Sequence, residues 1–183
     1  MADENTAATD NTTENPTFNL QRAYLKDLSL EVPNAPHVFL EQTSPAVEVN
    51  IGIGAQKLAE TMFESTVTVT VTTKIEDKTV YLVEATQGGV FEVANIPAEQ
   101  LDALLGIVCP TMLYPYLRAN VADAITRTTL PPLHLTDVNF QALYQQRQAE
   151  AGTQGEQGTE GNLPNGKAES DSGIILPPGA PKQ

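Results

Sequence analysis

The sequence predicts an α+β protein: one antiparallel four-stranded sheet with helices packed on one of its faces. Four segments in which apolar and polar residues alternate come before every segment with helical spacing, and this order favours α+β over an alternating α/β fold. The clearest of them, 64–73, alternates valine and threonine strictly, and β-branched residues at nearly every position are typical of strands. Both ends of the chain are polar, so the core is expected between them.

The first strand is predicted over 17–32. Tyr24, Leu28 and Leu30 fall on one side of it, but Lys26 interrupts that side, so the apolar face is expected to begin near Leu28. The prolines that follow cannot donate to a strand ladder and therefore end the strand.

The second strand is predicted over 47–53. Val47, Val49 and Ile51 lie on one side of it, and polar residues or glycine lie on the other. Residues 53–59 are expected to form a turn or a short helix.

The third and fourth strands, 64–73 and 79–87, are joined by a five-residue polar spacer, which is within the range of a hairpin. Gly88–Gly89 then breaks the pattern, and a short strand over 90–93 is expected to resume. A glycine pair within β structure indicates a bulge or a close approach of the backbone to a neighbour.

Helical spacing follows Pro97, a residue that fits the first turn of a helix. Cys109–Pro110 is expected to interrupt this helix, and a second helix is expected to hold Pro115 in its first turn. Its apolar stripe consists of Leu113, Tyr116, Leu117, Val121, Ala124 and Ile125. A Pro-Pro pair predicts a non-helical connection over 130–138, and a third helix is predicted over 140–150.

Composition divides the chain into three parts. Residues 1–16 are predicted to be a disordered acidic arm, and 151–183 a disordered tail rich in glycine and proline, because neither can bury enough apolar surface to become ordered. The body between them, 17–150, is predicted to be the only domain. Within the tail, 174–178 is the one apolar spot.

The formal net charge of −13 argues against nucleic acid and anionic membrane surfaces as partners, since both are bound through clustered lysine and arginine. A basic protein partner is favoured instead. A single cysteine excludes an intrachain disulfide and agrees with a reducing compartment. Without the features of a signal peptide or a transmembrane span, the expected location is the cytosol.

No candidate for catalysis stands out, and we expect a protein that is not an enzyme and needs neither metal nor cofactor. Cys109 beside Pro110 is typical of a packed thiol, with a nucleophile as the alternative. His37 and His134 have no second ligand at useful spacing. Gly88–Gly89 lacks the lysine and the helix start of a phosphate-binding loop.

Two groups of residues are more strongly charged or more apolar than the fold alone requires. Asp27, Glu31 and Glu84 would lie on the polar face of the sheet, either as a solvated face or as a patch that attracts a basic surface. The second strand and the helical stripes also carry more apolar residues than one sheet face consumes. They indicate either core and subunit contacts or an exposed groove for apolar segments.

Four blocks of the sequence, in order and at like spacing, resemble SecB, the bacterial protein-export chaperone family. They are Asp27–Phe39, Gln87–Phe91, Cys109–Tyr116 and Pro132–Phe140, and the resemblance extends over roughly 18–146. It implies a cytosolic holding chaperone that binds unfolded precursors without ATP and delivers them to the motor SecA. It also implies a homotetramer, arranged as a dimer of dimers, with antiparallel sheets outside and helices between.

The resemblance also assigns residues. Those implied to contact SecA are Asp27, Glu31, Leu82 and Glu84. Those implied to contact clients are Val47, Val49 and Ile51, and those implied to influence tetramer assembly are Val83, Ala85 and Gln87. Two alternatives remain at this point: a small acidic adaptor that binds folded basic partners, and a small α+β hydrolase that uses Cys109 or a histidine.

Overall fold

The computed structural model describes residues 15–155, and within them it contains one four-stranded antiparallel sheet with the strand order β1-β4-β3-β2. The strands are β1 Thr17–Glu31, β2 Ala46–Lys57, β3 Met62–Ile75 and β4 Lys78–Ala94. The predicted α+β class and the four strands are therefore confirmed. Residues 1–14 of the predicted arm and 156–183 of the predicted tail lie outside the described residues.

The helices form a second layer. α1 is Ala98–Ala103, α2 is Cys109–Thr126 and α3 is Phe140–Gly155, while a single 3₁₀ turn, His37–Leu40, lies between β1 and β2. α3 ends five residues beyond its predicted end, inside the region predicted as tail.

The prediction that Cys109–Pro110 interrupts the helix is wrong. A π-helical turn, Leu104–Val108, joins α1 to α2, and the Cys109 N–H donates to the carbonyl of Leu104 within it. This wider turn lies directly before Pro110, which has no N–H to donate, so the helical path continues through the pair.

Two details of α2 also differ from prediction. Pro115 lies in the helix interior instead of the first turn, because the buried side chains on either side of it hold α2 against the sheet and outweigh the roughly 3 kcal/mol cost of an internal proline. Tyr116, predicted on the apolar stripe, is 51% exposed, and Tyr114 is buried instead.

The sheet has one face towards the helices, here called the inner face, and one away from them, the outer face. Val67, Val69 and Val71 are fully buried on the inner face, opposite Gln87, Ala85 and Val83 of β4. α2 packs over them with Leu113, Leu117, Val121 and Ile125. Thr66, Thr68, Thr70 and Thr72 lie on the outer face, so the predicted apolar and polar faces of this strand are confirmed.

β4 runs without interruption through Gly88 and Gly89, so the predicted break there is wrong. A Cβ on Gly88 would lie 2.6 Å from the Tyr24 ring on the outer face, and one on Gly89 would lie 2.6 Å from Leu113 on the inner face. The pair is therefore a place of close approach on both sides of the sheet, which was one of the two predicted reasons for it.

β1 changes its facing side twice. Its register against β4 shifts between Leu20 and Arg22 and again between Leu25 and Asp27, as expected of β-bulges. Each extra residue reverses the side on which the following side chains lie. The inner face therefore does not begin near Leu28 but runs along the whole strand, as Phe18, Leu20, Ala23, Leu25, Leu28 and Leu30. Tyr24 consequently lies on the outer face, contrary to prediction.

β2 is the edge strand next to β3 and continues to Lys57, so the turn or helix predicted over 53–59 is wrong for 53–57. The turn begins only at Leu58, whose N–H donates to the Met62 carbonyl at 2.8 Å. Its pairing with β3 is regular from Ala46 opposite Lys74 to Lys57 opposite Phe63. This ladder extends the strand through Gly54, which is an unfavourable residue in an isolated strand. None of the helices within 15–155 is long and apolar enough to cross a membrane.

Candidate functional site

An open apolar groove lies between the edge strand β2 and the connection 130–138. Val47, Val49 and Ile51 form one wall, because their side chains lie on the inner face of the edge strand and remain partly exposed there. Val47 is 44% and Val49 40% exposed. The other residues that line this part of the groove are Tyr114, Leu133, His134, Leu135, Thr136 and Val138.

The groove continues towards α3. Its first part has a volume of about 380 Å³ and its second part about 420 Å³, and the two share Val49, Ile51 and Val138. The second part is lined in addition by Asn50, Asp137, Asn139, Ala142, Leu143 and Gln146. Each volume is within the usual range of ligand pockets, so the continuous groove can accept several apolar side chains in a row.

The far wall of the groove is fixed to α2. The Tyr114 hydroxyl donates to the Thr136 carbonyl at 2.7 Å, and the Tyr114 ring packs edge-on against Phe140 at a centroid distance of 5.5 Å. Arg118 forms an ion pair with Asp137. Burial raises the pKa of Tyr114 above its ordinary value, so the hydroxyl remains a donor at neutral pH.

The edge of β2 adds a second kind of contact. Within the described residues β2 pairs only with β3, so the row of backbone N–H and C=O groups on its side away from β3 pairs with no further strand. An edge strand is a template for another extended chain. Arg147 Nη1 donates to the Ile53 carbonyl at 3.0 Å, and this bond occupies the far end of that edge.

The sequence-derived acidic residues converge on the outer face. Register places Glu31 opposite Leu82, Glu84 opposite Ser29 and Asp27 opposite Thr86. Residues paired or diagonal across two strands have Cβ atoms about 4.5–8 Å apart, so Asp27, Glu31, Leu82 and Glu84 form one patch. All three carboxylates are exposed, and the β1 and β4 segments that carry them contain no lysine or arginine between 27 and 31 or between 82 and 86.

The residues implied to influence assembly lie elsewhere. Val83, Ala85 and Gln87 are buried on the inner face beneath α2, and Asn120 donates to Gln87 Oε1 at 2.9 Å. They touch no open surface, so any influence on assembly must pass through the position of α2.

Sequence reasoning missed a polar network on the outer face. Glu64 is 4% exposed, and both its carboxylate oxygens accept from Lys26 Nζ, at 2.8 and 2.9 Å. Tyr24 and Gln56 donate to the same carboxylate. Burial opposes ionisation, but the bonds from Lys26, Tyr24 and Gln56 outweigh it, so the pKa of Glu64 lies below its ordinary value. The only sequence feature that could have indicated this network is Glu64 itself, a single carboxylate at the start of a strand of valine and threonine.

The candidate nucleophile and ligands do not form a site. Cys109 is fully buried, and burial raises the pKa of its thiol to about 12, so it carries almost no reactive thiolate at neutral pH. The hydrolase alternative is therefore not supported. Among residues 15–155, no group of three histidine, cysteine or acidic side chains is placed to hold a metal ion.

Comparison with known proteins agrees with the sequence blocks. The family model described as "Preprotein translocase subunit SecB" matches residues 11–151. The chain is 67% identical to the protein-export protein SecB of Bordetella pertussis over 183 residues, covering 100% of both chains. It is 54% identical to that of Herminiimonas arsenicoxydans over 183 residues, covering 100% of this chain and 99% of the relative.

A solved structure shares the fold. The SecB-like chaperone of Mycobacterium tuberculosis, in complex with a ChAD peptide from the HigA1 antitoxin, is 18% identical. It aligns with a TM-score of 0.56 over 66% of this chain and 90% of the other. Given the family match over most of its length and the full-length relatives, the chain belongs to the SecB family of protein-export chaperones.

Proposed function

We propose that the protein is a cytosolic holding chaperone, which binds unfolded secretory precursors in the groove between β2 and the connection 130–138 and presents them to SecA. The single observation that carries this proposal is that exposed Val47 and Val49 lie on a strand edge that pairs with no further strand among residues 15–155. Apolar side chains that would otherwise be buried are left open beside a backbone that accepts a further strand.

The chemistry of this groove suits many clients. Main-chain hydrogen bonds to the edge of β2 are independent of the client's sequence, and the apolar wall requires only that some side chains be large and apolar. Binding the unfolded state alone withdraws it from folding and aggregation by mass action, so no ATP and no covalent step are required. A folded protein has no such extended segment to offer.

We propose further that the acidic patch of Asp27, Glu31, Leu82 and Glu84 docks SecA through a basic surface of the motor. The patch lies on the outer face, on the side of the sheet away from the groove. The adaptor alternative would use this same patch but would leave the groove without a role.

A homotetramer is also proposed, and two separate exposed apolar surfaces support it. One lies on the inner face of β1, at Leu25 and Leu28. The other is the helical stripe of Val108, Met112 and Tyr116, which recur every four residues. A dimer of dimers needs two different self-complementary interfaces, and the subunit offers two candidates. Grooves on several subunits would then hold one client by avidity.

The test of the proposal replaces Val47 and Val49 with serine together and measures the Kd for a permanently unfolded protein, reduced and carboxymethylated α-lactalbumin. Losing two exposed apolar side chains of the groove should weaken binding about tenfold, on the basis of roughly 25 cal/mol per Å² of apolar surface buried. Glu48→Ser is the matched control, since Glu48 lies between the two valines but on the outer face. Equal Kd values for all three proteins would contradict the proposal.

A further inference from the structure

We propose that the carboxy-terminal tail of the chain is an internal competitor for clients, and that its segment Ile174–Pro178 occupies the groove of the same chain. This inference rests on the client-binding role proposed for the groove. Three independent features support it: the composition of the tail, the form of the groove, and the length of chain that joins them.

The tail contains one segment of client-like chemistry. Ile174, Ile175 and Leu176 are the only run of large apolar residues after α3, in a region otherwise dominated by glycine, proline, glutamine, glutamate and serine. β-branched residues favour extended backbone, and a residue before proline is biased to the same conformation. The segment therefore resembles the extended apolar stretch that the groove would bind in a client.

The groove is suited to so short a segment. Its two parts, about 380 and 420 Å³, follow one another along the edge of β2 and can take alternate side chains of an extended segment, such as Ile174 and Leu176. Alternate N–H groups of an extended segment point to the same side, so Ile174 and Leu176 can pair with that edge together, but Pro177 and Pro178 have no N–H. Strand addition would stop there, so the contact is self-limiting and weak enough for a longer client to displace it.

The length of the tail matches the distance to be covered. The first turns of α3 line the groove, and α3 ends at Gly155, about 18 Å beyond Leu143 at 1.5 Å per residue. The 18 residues from 156 to 173 separate Gly155 from the apolar segment. Gly-rich linkers of 18 residues in general have an end-to-end distance of about 23 Å, and the effective concentration is highest when linker length and span agree.

The agreement between tail length and span determines how strongly the tail would compete with clients. A short flexible linker gives an effective concentration in the millimolar range, so a segment with a millimolar Kd would fill the groove from about half to nine-tenths of the time. The apparent client Kd rises by the inverse of the fraction of open grooves, which is about two- to tenfold. Weakly apolar chains would be excluded, whereas a client that engages several grooves would displace each tail.

The experiment uses the full-length chain with Ile174→Ser, Ile175→Ser and Leu176→Ser combined. Reduced and carboxymethylated α-lactalbumin is again the probe, and its Kd should fall two- to tenfold. A second full-length variant, Glu169→Ser, Asp171→Ser and Lys182→Ser, introduces as many serines into the same tail without touching the apolar run, and its Kd should equal that of the parent.

A direct readout separates groove occupancy from other effects of the tail. Methyl NMR signals of Val47, Val49 and Leu133 should shift in the first variant and not in the second, and a synthetic peptide of residues 170–180 should restore them. Equal Kd values in all three proteins with unchanged methyl signals overturn this inference and leave the proposed function standing. Failure of every form to bind the probe overturns both.

Discussion

Glu64 joins three strands of the sheet through a single buried carboxylate. It lies on β3 and accepts hydrogen bonds from Tyr24 and Lys26 on β1 and from Gln56 on β2. The bond to Glu64, with burial and the charge of the carboxylate adding to it, raises the pKa of Tyr24 to about 12, so the phenol stays a donor. The network ties both edge strands to the β3–β4 hairpin, and we expect it to contribute to stability in a pH-dependent way.

The folded-state pKa of Glu64 is depressed from its ordinary 4.5, so its contribution is complete above that value and is lost as the pH falls through the folded-state pKa. Glu64→Gln should lower the free energy of unfolding at pH 7 by about 1.5–3 kcal/mol, the usual range for a hydrogen bond to a charged group. The difference between the two proteins should shrink below about pH 4. Urea denaturation across pH 3–8 measures this.

Glu48→Gln is the control for that experiment, because Glu48 is exposed on the same face and, among residues 15–155, accepts a hydrogen bond only from Asn50. It should change stability by less than about 0.5 kcal/mol. A pH-independent difference between Glu64→Gln and the parent would contradict the assignment of the depressed pKa.

Gly89 is expected to tolerate no side chain. A Cβ there would lie 2.6 Å from Leu113 Cδ2, and Leu113 is fully buried and has no room to yield. Gly89→Ala should therefore destabilise the protein by about 1–3 kcal/mol, as overpacking of a core does. Thermal or urea unfolding checks this.

Gly52→Ala provides the matched comparison. It introduces the same change into the edge strand, where the nearest atom, Thr68 Cβ, would be 3.9 Å away. Its stability should equal or slightly exceed that of the parent, since alanine restricts the unfolded chain more than glycine does. Equal losses for both variants would show that strand propensity, not the contact with Leu113, sets the cost.

At the scale of single residues, the sequence predicts which side of a strand a side chain lies on, but not which distant side chain it contacts. The inward direction of Val67 and the outward direction of Thr68 follow from a period of two, and both are confirmed. The carboxylate of Glu64 and the phenol of Tyr24 are 40 residues apart, and no local pattern reveals that a bulge brings them together.

At the scale of elements, β1 shows that a β-bulge makes a prediction from alternating residues fail. Two single-residue insertions divide the strand into three runs, each of which alternates correctly on its own. The prediction of one continuous alternation therefore placed Tyr24 on the wrong face. For α2 the prediction failed in the opposite way. The sequence predicts a break at Pro110 and a place for Pro115 in a first turn, but tertiary packing keeps the helix continuous through both.

The patch on β1 and β4 leads to an electrostatic prediction. Glu31→Arg together with Glu84→Arg should weaken SecA binding at least tenfold and leave the Kd for unfolded α-lactalbumin unchanged, because the patch and the groove lie on opposite faces. The difference from the parent should diminish as ionic strength rises, since exposed charges are screened. Surface plasmon resonance at several salt concentrations measures both bindings.

A charge reversal outside the patch is the control. Glu48→Arg lies on the same outer face but three strand spacings, about 14 Å, from Glu31. It should reduce SecA binding much less than the double reversal does. If all reversals act equally, net charge and not the patch governs the interaction.

At the scale of the whole molecule, the two surfaces proposed as subunit interfaces are the exposed apolar residues around Leu28 on β1 and around Tyr116 on α2. Leu28→Asp and Tyr116→Asp should each reduce a tetramer to a dimer, because each places a charge in a different interface. Light scattering coupled to size exclusion gives the masses. Combining the two changes should yield a monomer.

Ser29→Asp is the control for Leu28→Asp. Ser29 is next to Leu28 in sequence but lies on the outer face, so this change should leave the tetramer intact. A tetramer that survives both Leu28→Asp and Tyr116→Asp would rule out these surfaces as interfaces. The fold and the faces of β2, β3 and β4 could be predicted from the pattern of residues, but the faces of β1 could not. The groove depends on the connection 130–138, whose contact with β2 spans more than 80 residues of sequence.

The placement of the groove and the acidic patch on opposite sides of one sheet has a consequence for the order of events. Cargo and motor would bind to different surfaces and would not compete, so SecA could bind the loaded chaperone before the client dissociates. Delivery would then proceed through a three-component assembly, and the sequence in which the two ligands are added should not alter the final complex.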